Sequence, residues 1–227
     1  MTYSPLAPNS VHNLFSGRIE ALGGKILSSH TGDACLYARS TMPLAENLQA
    51  GDRVNGGVAI RMLDHEVQVS PFVFRQICRN GAIMSRELGS CEISVDPLDP
   101  GKTQEEVLEA IDACVRPEVF ENNVSNIRGT IGRPVDAGLA LMVLENRWQL
   151  GDLTRRIWHR LVRDRDRSKF GLMNAITSIA RDEKDPEVKW KLELLGGRIP
   201  TMPLPDLKIE SEPSSAELQR KPAASRG

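Results

Sequence analysis

The strongest chemical signal in this chain is residues 153–169, LTRRIWHRLVRDRDRSK. Between positions 155 and 169 stand six arginines and one lysine against two aspartates. On a helical wheel at ~100° per residue, Leu153, Ile157, Trp158, Leu161 and Val162 fall on one half. Arg155, Arg156, His159, Arg160, Arg163 and Arg167 fall on the other. A row of guanidiniums that outnumbers its local acids fits the phosphates of a nucleic acid, an acidic lipid or an acidic protein partner. The purely structural alternative is a solvated face, or one salt-bridged to the acidic stretch 104–112. A membrane-surface helix needs more apolar bulk than one Trp and a few aliphatics that the core also demands.

A second candidate is VSPFVFRQICRNGAIM, residues 69–84. Ser70 can cap a helix with Pro71 in its first turn, because proline lacks an N–H that would go unpaired there. Asn80 and Gly81 tolerate a left-handed stop. This predicts a helix over 70–81, with Val73, Phe74, Ile77 and Cys78 toward a core. Phe72, Arg75, Gln76 and Arg79 would then face outward, the ring free to stack on a base and the guanidiniums to meet phosphates. In the structural alternative Phe72 packs on the preceding strands and the arginines only solvate the helix.

Catalytic constellations are not displayed. The four histidines (His12, His30, His65, His159) lie in different segments, with none at metal-ligand spacing. There is no phosphate loop, no nucleophile elbow and no dinucleotide fingerprint. Asp64, Glu66, Asp96 and Asp99 are the nearest approach to a nuclease-like carboxylate set, and the first two are explained as turn residues. Cys35, Cys78, Cys91 and Cys114 include no Cys-x-x-Cys and read as reduced, buried thiols. No metal, cofactor or catalytic residue is expected.

These candidates must be positioned by a chain of 227 residues with 40% apolar content and a formal net charge of −1. The near-neutral total excludes a generally basic protein, so the cationic face is local. No apolar run approaches the ~20 residues of a membrane helix. MTYSPLAPNSVHNLF lacks the charged and apolar regions of a signal peptide, which points to a soluble intracellular protein. The fold class expected is α+β: N-terminal antiparallel β-hairpins packed with a helix, then a mostly α-helical half and a disordered tail. The boundaries are a loosely ordered arm over 1–16, a single domain over 17–199 (β-rich 17–95, helical 103–197) and the tail over 200–227.

The local signals are specific. Thr31-Gly32-Asp33 centres one hairpin within 25–40, and Asp64-His65-Glu66 turns a second within 50–70. Val54, Val58, Ile60 and Met62 alternate on one face. Gly56-Gly57 inside that strand implies a bulge or a close backbone approach. DPLDPG (96–101) marks the internal boundary, and Thr103 with Glu106 reads as a capping box before Val107, Ala110, Ile111, Cys114 and Val115. Pro117 breaks the run, and Asp136, Asp152, Ser168 and Asp185 open later helices, the last ending at Gly196-Gly197. In KFGLMNAITSIA (169–180), Leu172, Met173, Ile176, Ile179 and Ala180 form the apolar side. Gly171, Asn174 and Ser178 form a small polar stripe, and Asn174 is set to bond a buried main-chain group or a ligand.

Three pieces carry a resemblance: AGDRVNGGVAIRM, then VQVSPFVFRQICRNGAI, and KFGLMNAITSIARDEKDPEVKWKLELLGG. Over roughly 18–197 the chain resembles the "phage/plasmid-like protein" family, a domain of unknown function borne on prophages and plasmids. Cys78-x-Asn80-Gly81 and Asn174-Ala175-x-Thr177 are its most specific motifs, with Asn80, Gly81 and Asn174 the structural residues. The chain departs from the family in having RMLDHEV where a longer SNSEVG-like turn is expected. The resemblance implies a mobile-element protein of the bacterial cytoplasm and transfers no catalytic role. Paired hairpins followed by a helix are also similar to phage single-strand annealing proteins, a likeness of fold only.

The reading that follows is a non-enzymatic nucleic-acid-binding protein, with single-stranded DNA the favoured partner. Phe72, Arg75, Arg79, Arg155, Arg156, His159, Arg160, Arg163 and Arg167 are the binding candidates. It needs no membrane and is compatible with a homo-oligomer. The alternatives are an assembly module that meets an acidic protein, and an unrecognised metal-dependent nuclease.

Overall fold

The computed structural model describes residues 6–85 and 88–205, and among these the chain forms seven strands and seven helices. The spine is a pair of long strands, β4 (Asp52–Leu63) and β5 (Glu66–Arg75), matched antiparallel from Leu63↔Glu66 to Val54↔Arg75. Asp64 makes their tight turn with a left-handed φ of 50°, which a short polar side chain accepts. Each spine strand carries two shorter neighbours on its outer edge. β2 (Cys35–Thr41) and β3 (Ala45–Gln49) flank the two halves of β4, while β6 (Asn80–Ile83) and β7 (Cys91–Ser94) flank those of β5. β1 (Lys25–Thr31) pairs outside β2. Both predicted hairpins form. Gly57 is the close approach expected of it: a Cβ there would stand 2.0 Å from the Ser40 carbonyl oxygen.

The helix predicted over 70–81 does not form. Ser70 to Arg75 continue β5, residues 76–79 turn, and Asn80–Ile83 return as β6, so 69–84 is a β-hairpin. Pro71 sits mid-strand without breaking the sheet, and the register explains why. β7 pairs with residues 66–69 of β5 and β6 pairs with 72–75. The Pro71 carbonyl points outward to Met84 N (2.9 Å), so its nitrogen faces the same edge, in the gap between the two short strands. No ladder donor is missing there. Gly81 is not a helix stop either. The Phe72 ring lies over it, and a Cβ would stand 2.0 Å from that ring's Cζ.

The arm expected over 1–16 is corrected from Pro8 onward, residues 1–5 lying outside the described part. α1 (Pro8–Ala21) begins at Pro8 and buries Val11, Phe15 and Ile19, spaced by four, against the sheet. α2 (Pro100–Cys114) packs beside it and buries Val107, Ala110, Ile111 and Cys114. Its cap is Asp99, which accepts from Lys102 N at 3.0 Å, and not Thr103, which is buried with its hydroxyl between the backbones of Asp96 and Asp99. α3 (Pro117–Arg128), α4 (Ala137–Trp148), α5 (Asp152–Asp164) and α6 (Lys169–Asp182) build a second core with Val54, Val73, Ala82 and Met84 on the same sheet face. Asp136 and Ser168 cap α4 and α6 as their sequence positions predict.

α7 (Pro186–Arg198) lies on the opposite face, where Trp190 meets Tyr37, Ala59, Phe72 and Ile83. Asp185 caps it, but Gly196 and Gly197 do not end it. They are contact points: a Cβ on Gly196 would meet the Thr177 methyl at 2.4 Å, and one on Gly197 the Ile83 carbonyl oxygen at 1.9 Å. Of the expected tail, residues 200–205 still contact the fold, with Met202 buried and Pro205 accepting from Asp136 N. Residues 206–227 lie outside the described part.

Candidate nucleic-acid interface

α5 is amphipathic as its spacing predicts. Ile157 and Leu161 are buried, and Arg155, Arg156, His159 and Arg163 are exposed. Its guanidiniums are not free of partners. Arg156 donates to Glu183 at 3.0 Å, Arg160 to Asp164 at 2.7 Å, and Arg163 lies 3.6 Å from the same carboxylate. Arg155 is 4.0 Å from Asp152. The acidic stretch 104–112 is not the partner; its Asp112 is taken by Arg18 of α1. Glu183 and Asp182 both titrate below the usual carboxylate range. The Arg156 hydrogen bond is the main cause for Glu183, and the Arg181 hydrogen bond for Asp182, with Arg160 and Arg156 adding to the latter. Both carboxylates are therefore charged at neutral pH. Exposed pairs of this kind contribute about 0–1 kcal/mol each, so a phosphate can displace them.

Trp158 and Val162 depart from the expectation that they serve the core. Trp158 is 42% exposed and Val162 56%. Trp158 stands between two open troughs. One, of about 600 Å³, is lined by Asp136, Val162, Arg165 and Arg167. The other, of about 580 Å³, is lined by Leu141, Met142, Thr154 and Arg155. Exposed Met142 of α4 adds apolar surface to the second trough. Arg165 holds a left-handed φ of 56° just after α5, and Arg167 is exposed before α6. Glu145 braces the start of α5 by accepting from the Thr154 hydroxyl and from Gly151 N, which lowers its pKa.

The candidates of 69–84 separate. Phe72 is 2% exposed and packs with Ile83 and Trp190, so it cannot stack on a base. Arg75 is turned inward. Its Nε donates to Asp52 at 2.6 Å, its Nη1 to Asn174 at 2.9 Å, and its Cζ lies 5.0 Å from the Phe170 ring centroid. Asn80 is buried and donates to Thr177 at 2.7 Å. The Asn80 and Asn174/Thr177 motifs, about a hundred residues apart in sequence, are thus halves of one buried network that fixes α6 to the β5–β6 hairpin. Asn174 takes a side-chain guanidinium there rather than a main-chain group. Of the three binding candidates only Arg79 remains exposed, at the tip of the turn with a φ of 50°; Gln76 beside it is exposed too, and Ile77, expected toward a core, is 65% exposed.

The last turn of α6 joins the two regions. Arg181 donates from Nη1 to the Cys78 carbonyl at 2.9 Å, next to Arg79, and Glu183 holds Arg156 of α5. Arg79 and the basic helix therefore border the same helix end. Arg181 was not singled out from sequence, and its adjacent Asp182 hid it in a run of alternating charge. Among the described residues no group of three or more His, Cys, Asp or Glu is placed to hold a metal ion. No described helix is long and apolar enough to cross a membrane. Comparison with protein-family models, with curated proteins and with solved structures finds no match to this chain.

Proposed function

We propose that this chain is a nucleic-acid-binding protein that holds a single strand across the α4–α5 surface, in keeping with the mobile-element character its motifs imply. The observation that carries this reading is Trp158, an exposed indole between two troughs whose rims bear Arg155, Arg165 and Arg167. Unpaired bases stack on such a ring regardless of sequence, while the guanidiniums take the phosphates. A duplex hides its bases and could use only the charges, so a strand is preferred over a duplex. Arg163 extends the cationic edge and His159 is exposed on the same helix, whereas Phe72 and Arg75 belong to the fold. The test is a salt titration of the full chain against single-stranded DNA, duplex DNA and RNA. Binding to the single strand that weakens steeply with salt, and weakens again in Trp158→Ala, supports it; no binding at low salt ends it.

The exposed apolar surface of Met142, Trp158 and Val162 along the two troughs favours a second reading, a protein partner with an acidic segment. A complex that survives nuclease treatment and is lost in Met142→Asp, with oligonucleotide binding absent, would support that reading instead.

A further inference from the structure

On the sheet face away from α5, Arg39 of β2 and Glu193 of α7 form a buried ion pair through the Arg39 Nε. Arg39 is 4% exposed, and its Nη2 has no hydrogen-bond partner among the described residues. The Trp190 ring, 5.5 Å from the guanidinium carbon, backs the charge but offers no acceptor lone pair. Arg39 and Glu193 line a cavity of about 190 Å³ that Arg79, Arg181 and Lys189 also line, with Phe74 among its apolar wall residues.

Four cations thus converge where Glu193 is the one carboxylate of the lining. Glu193 is already engaged by Arg39, and Arg181 shares its charge with Asp182. Arg79 and Lys189 add two more cations at the rim, Lys189 also being drawn toward Glu193. A buried guanidinium N–H left without an acceptor is unfavourable unless the site is built to receive one. The cavity is below the ~300–1,000 Å³ of clefts that enclose a drug-sized ligand, so it takes a small group rather than a whole molecule. A carboxylate would need only one guanidinium. A dianion with three terminal oxygens uses the fork of Arg39 together with two or three further cations.

We propose that this cavity is a binding site for a phosphomonoester dianion, with Arg39 at its floor and Arg79, Arg181 and Lys189 around its mouth. The source of the phosphate is either the terminal phosphate of a strand or a free mononucleotide, whose base would lie outside against Phe74. The inference stands on the cavity itself; only the strand source rests on the α4–α5 reading.

The test is calorimetric titration of the full chain with inorganic phosphate at constant ionic strength, using sodium chloride as the blank. Saturable binding is expected, weakened at least about tenfold by Arg79→Ala and by Lys189→Ala, since each removes a charge-assisted contact. Both residues are at the mouth, so the variants should fold; Lys102→Ala, an exposed cation on α2, should leave phosphate binding unchanged. A single strand with a 5′-phosphate is then compared with its 5′-hydroxyl twin, and with the mononucleotide. A preference for the phosphorylated strand that Lys189→Ala erases identifies a strand end. Equal strand affinities with competition between mononucleotide and phosphate identify a free nucleotide. Absence of saturable phosphate binding, or binding untouched in both mouth variants, overturns the site. Strand binding at the α4–α5 surface is read separately by Trp158→Ala, so failure here is distinguishable from failure of the strand-binding reading.

Discussion

Replacing Glu193 by Leu should cost far more than replacing Arg39 by Met, although the two residues share one contact. Their side chains are 4% and 5% exposed, so both charges are largely withdrawn from water. Burial already pushes the Glu193 carboxyl up against the pull of Arg39 and Lys189, so the carboxyl can take up a proton when Arg39 is gone. Arginine has no such escape, because it stays charged at any accessible pH. Glu193→Leu therefore strands a buried cation, at about 3–5 kcal/mol. For a chain of this size ~1 kcal/mol moves Tm by about 2–4 °C, so the drop is on the order of 10 °C. Arg39→Met should cost roughly half as much, including the loss of its stack on Trp190. The double variant should recover to within about 1–2 kcal/mol of the parent, because apolar replacements of buried pairs are often neutral. Urea unfolding followed by circular dichroism at pH 7 provides the cycle. A Glu193→Leu cost below about 1 kcal/mol, or a double variant no better than Glu193→Leu alone, would refute the claim that the two charges are a coupled buried pair.

The remaining predictions are narrower. The folded state holds the Glu193 proton more tightly than the unfolded chain does. That contribution to stability is full below the unfolded glutamate range and is lost as pH rises through the folded value; Glu193→Gln should flatten the pH dependence of Tm there. Asp182 and Glu183 act in the opposite sense, and their contribution is lost as pH falls through their lowered values. Gly197→Ala should destabilise by ~3 kcal/mol or more, since its Cβ would stand 1.9 Å from a backbone oxygen. Gly17→Ala, mid-helix in α1 with nothing within 4 Å, should stabilise by about 0.5–1 kcal/mol in the same unfolding assay. Trp158→Ala should leave Tm within a few degrees of the parent and weaken single-strand affinity by ~1–3 kcal/mol, read by fluorescence anisotropy.

What sequence could reveal was local. Asp136, Ser168 and Asp185 precede apolar runs and cap the helices they announce, and Val107, Ala110, Ile111 and Cys114 keep helical spacing and are buried. Two elements misled for physical reasons. Ser70-Pro71 imitates a helix start, and only the register of β6 and β7 reveals that Pro71 faces a gap. In β5 both faces are buried, so VSPFVF shows no polar alternation to announce a strand. A boundary at residue 16 cuts α1, with Val11 and Phe15 on one side and Ile19 on the other. The candidate site was half legible. The basic face of α5 follows from spacing, but Trp158 sits on the apolar half of the wheel, and only the placement of α4 leaves it exposed. Arg75 with Asn174 and Arg39 with Glu193 are contacts across 99 and 154 residues, and no local pattern encodes them.

The most direct measurement of the central claim is the salt dependence of single-strand binding by the full chain, compared with Trp158→Ala and with the triple variant Arg155→Glu, Arg163→Glu, Arg167→Glu. Neutralising about four phosphates predicts a slope of log K against log salt of roughly −3 for a single strand. The triple variant should lose most of that slope. Trp158→Ala should keep the slope and lose affinity at every salt concentration. A parent chain with no saturable single-strand binding at low salt, or a slope unchanged in the triple variant, would contradict the account.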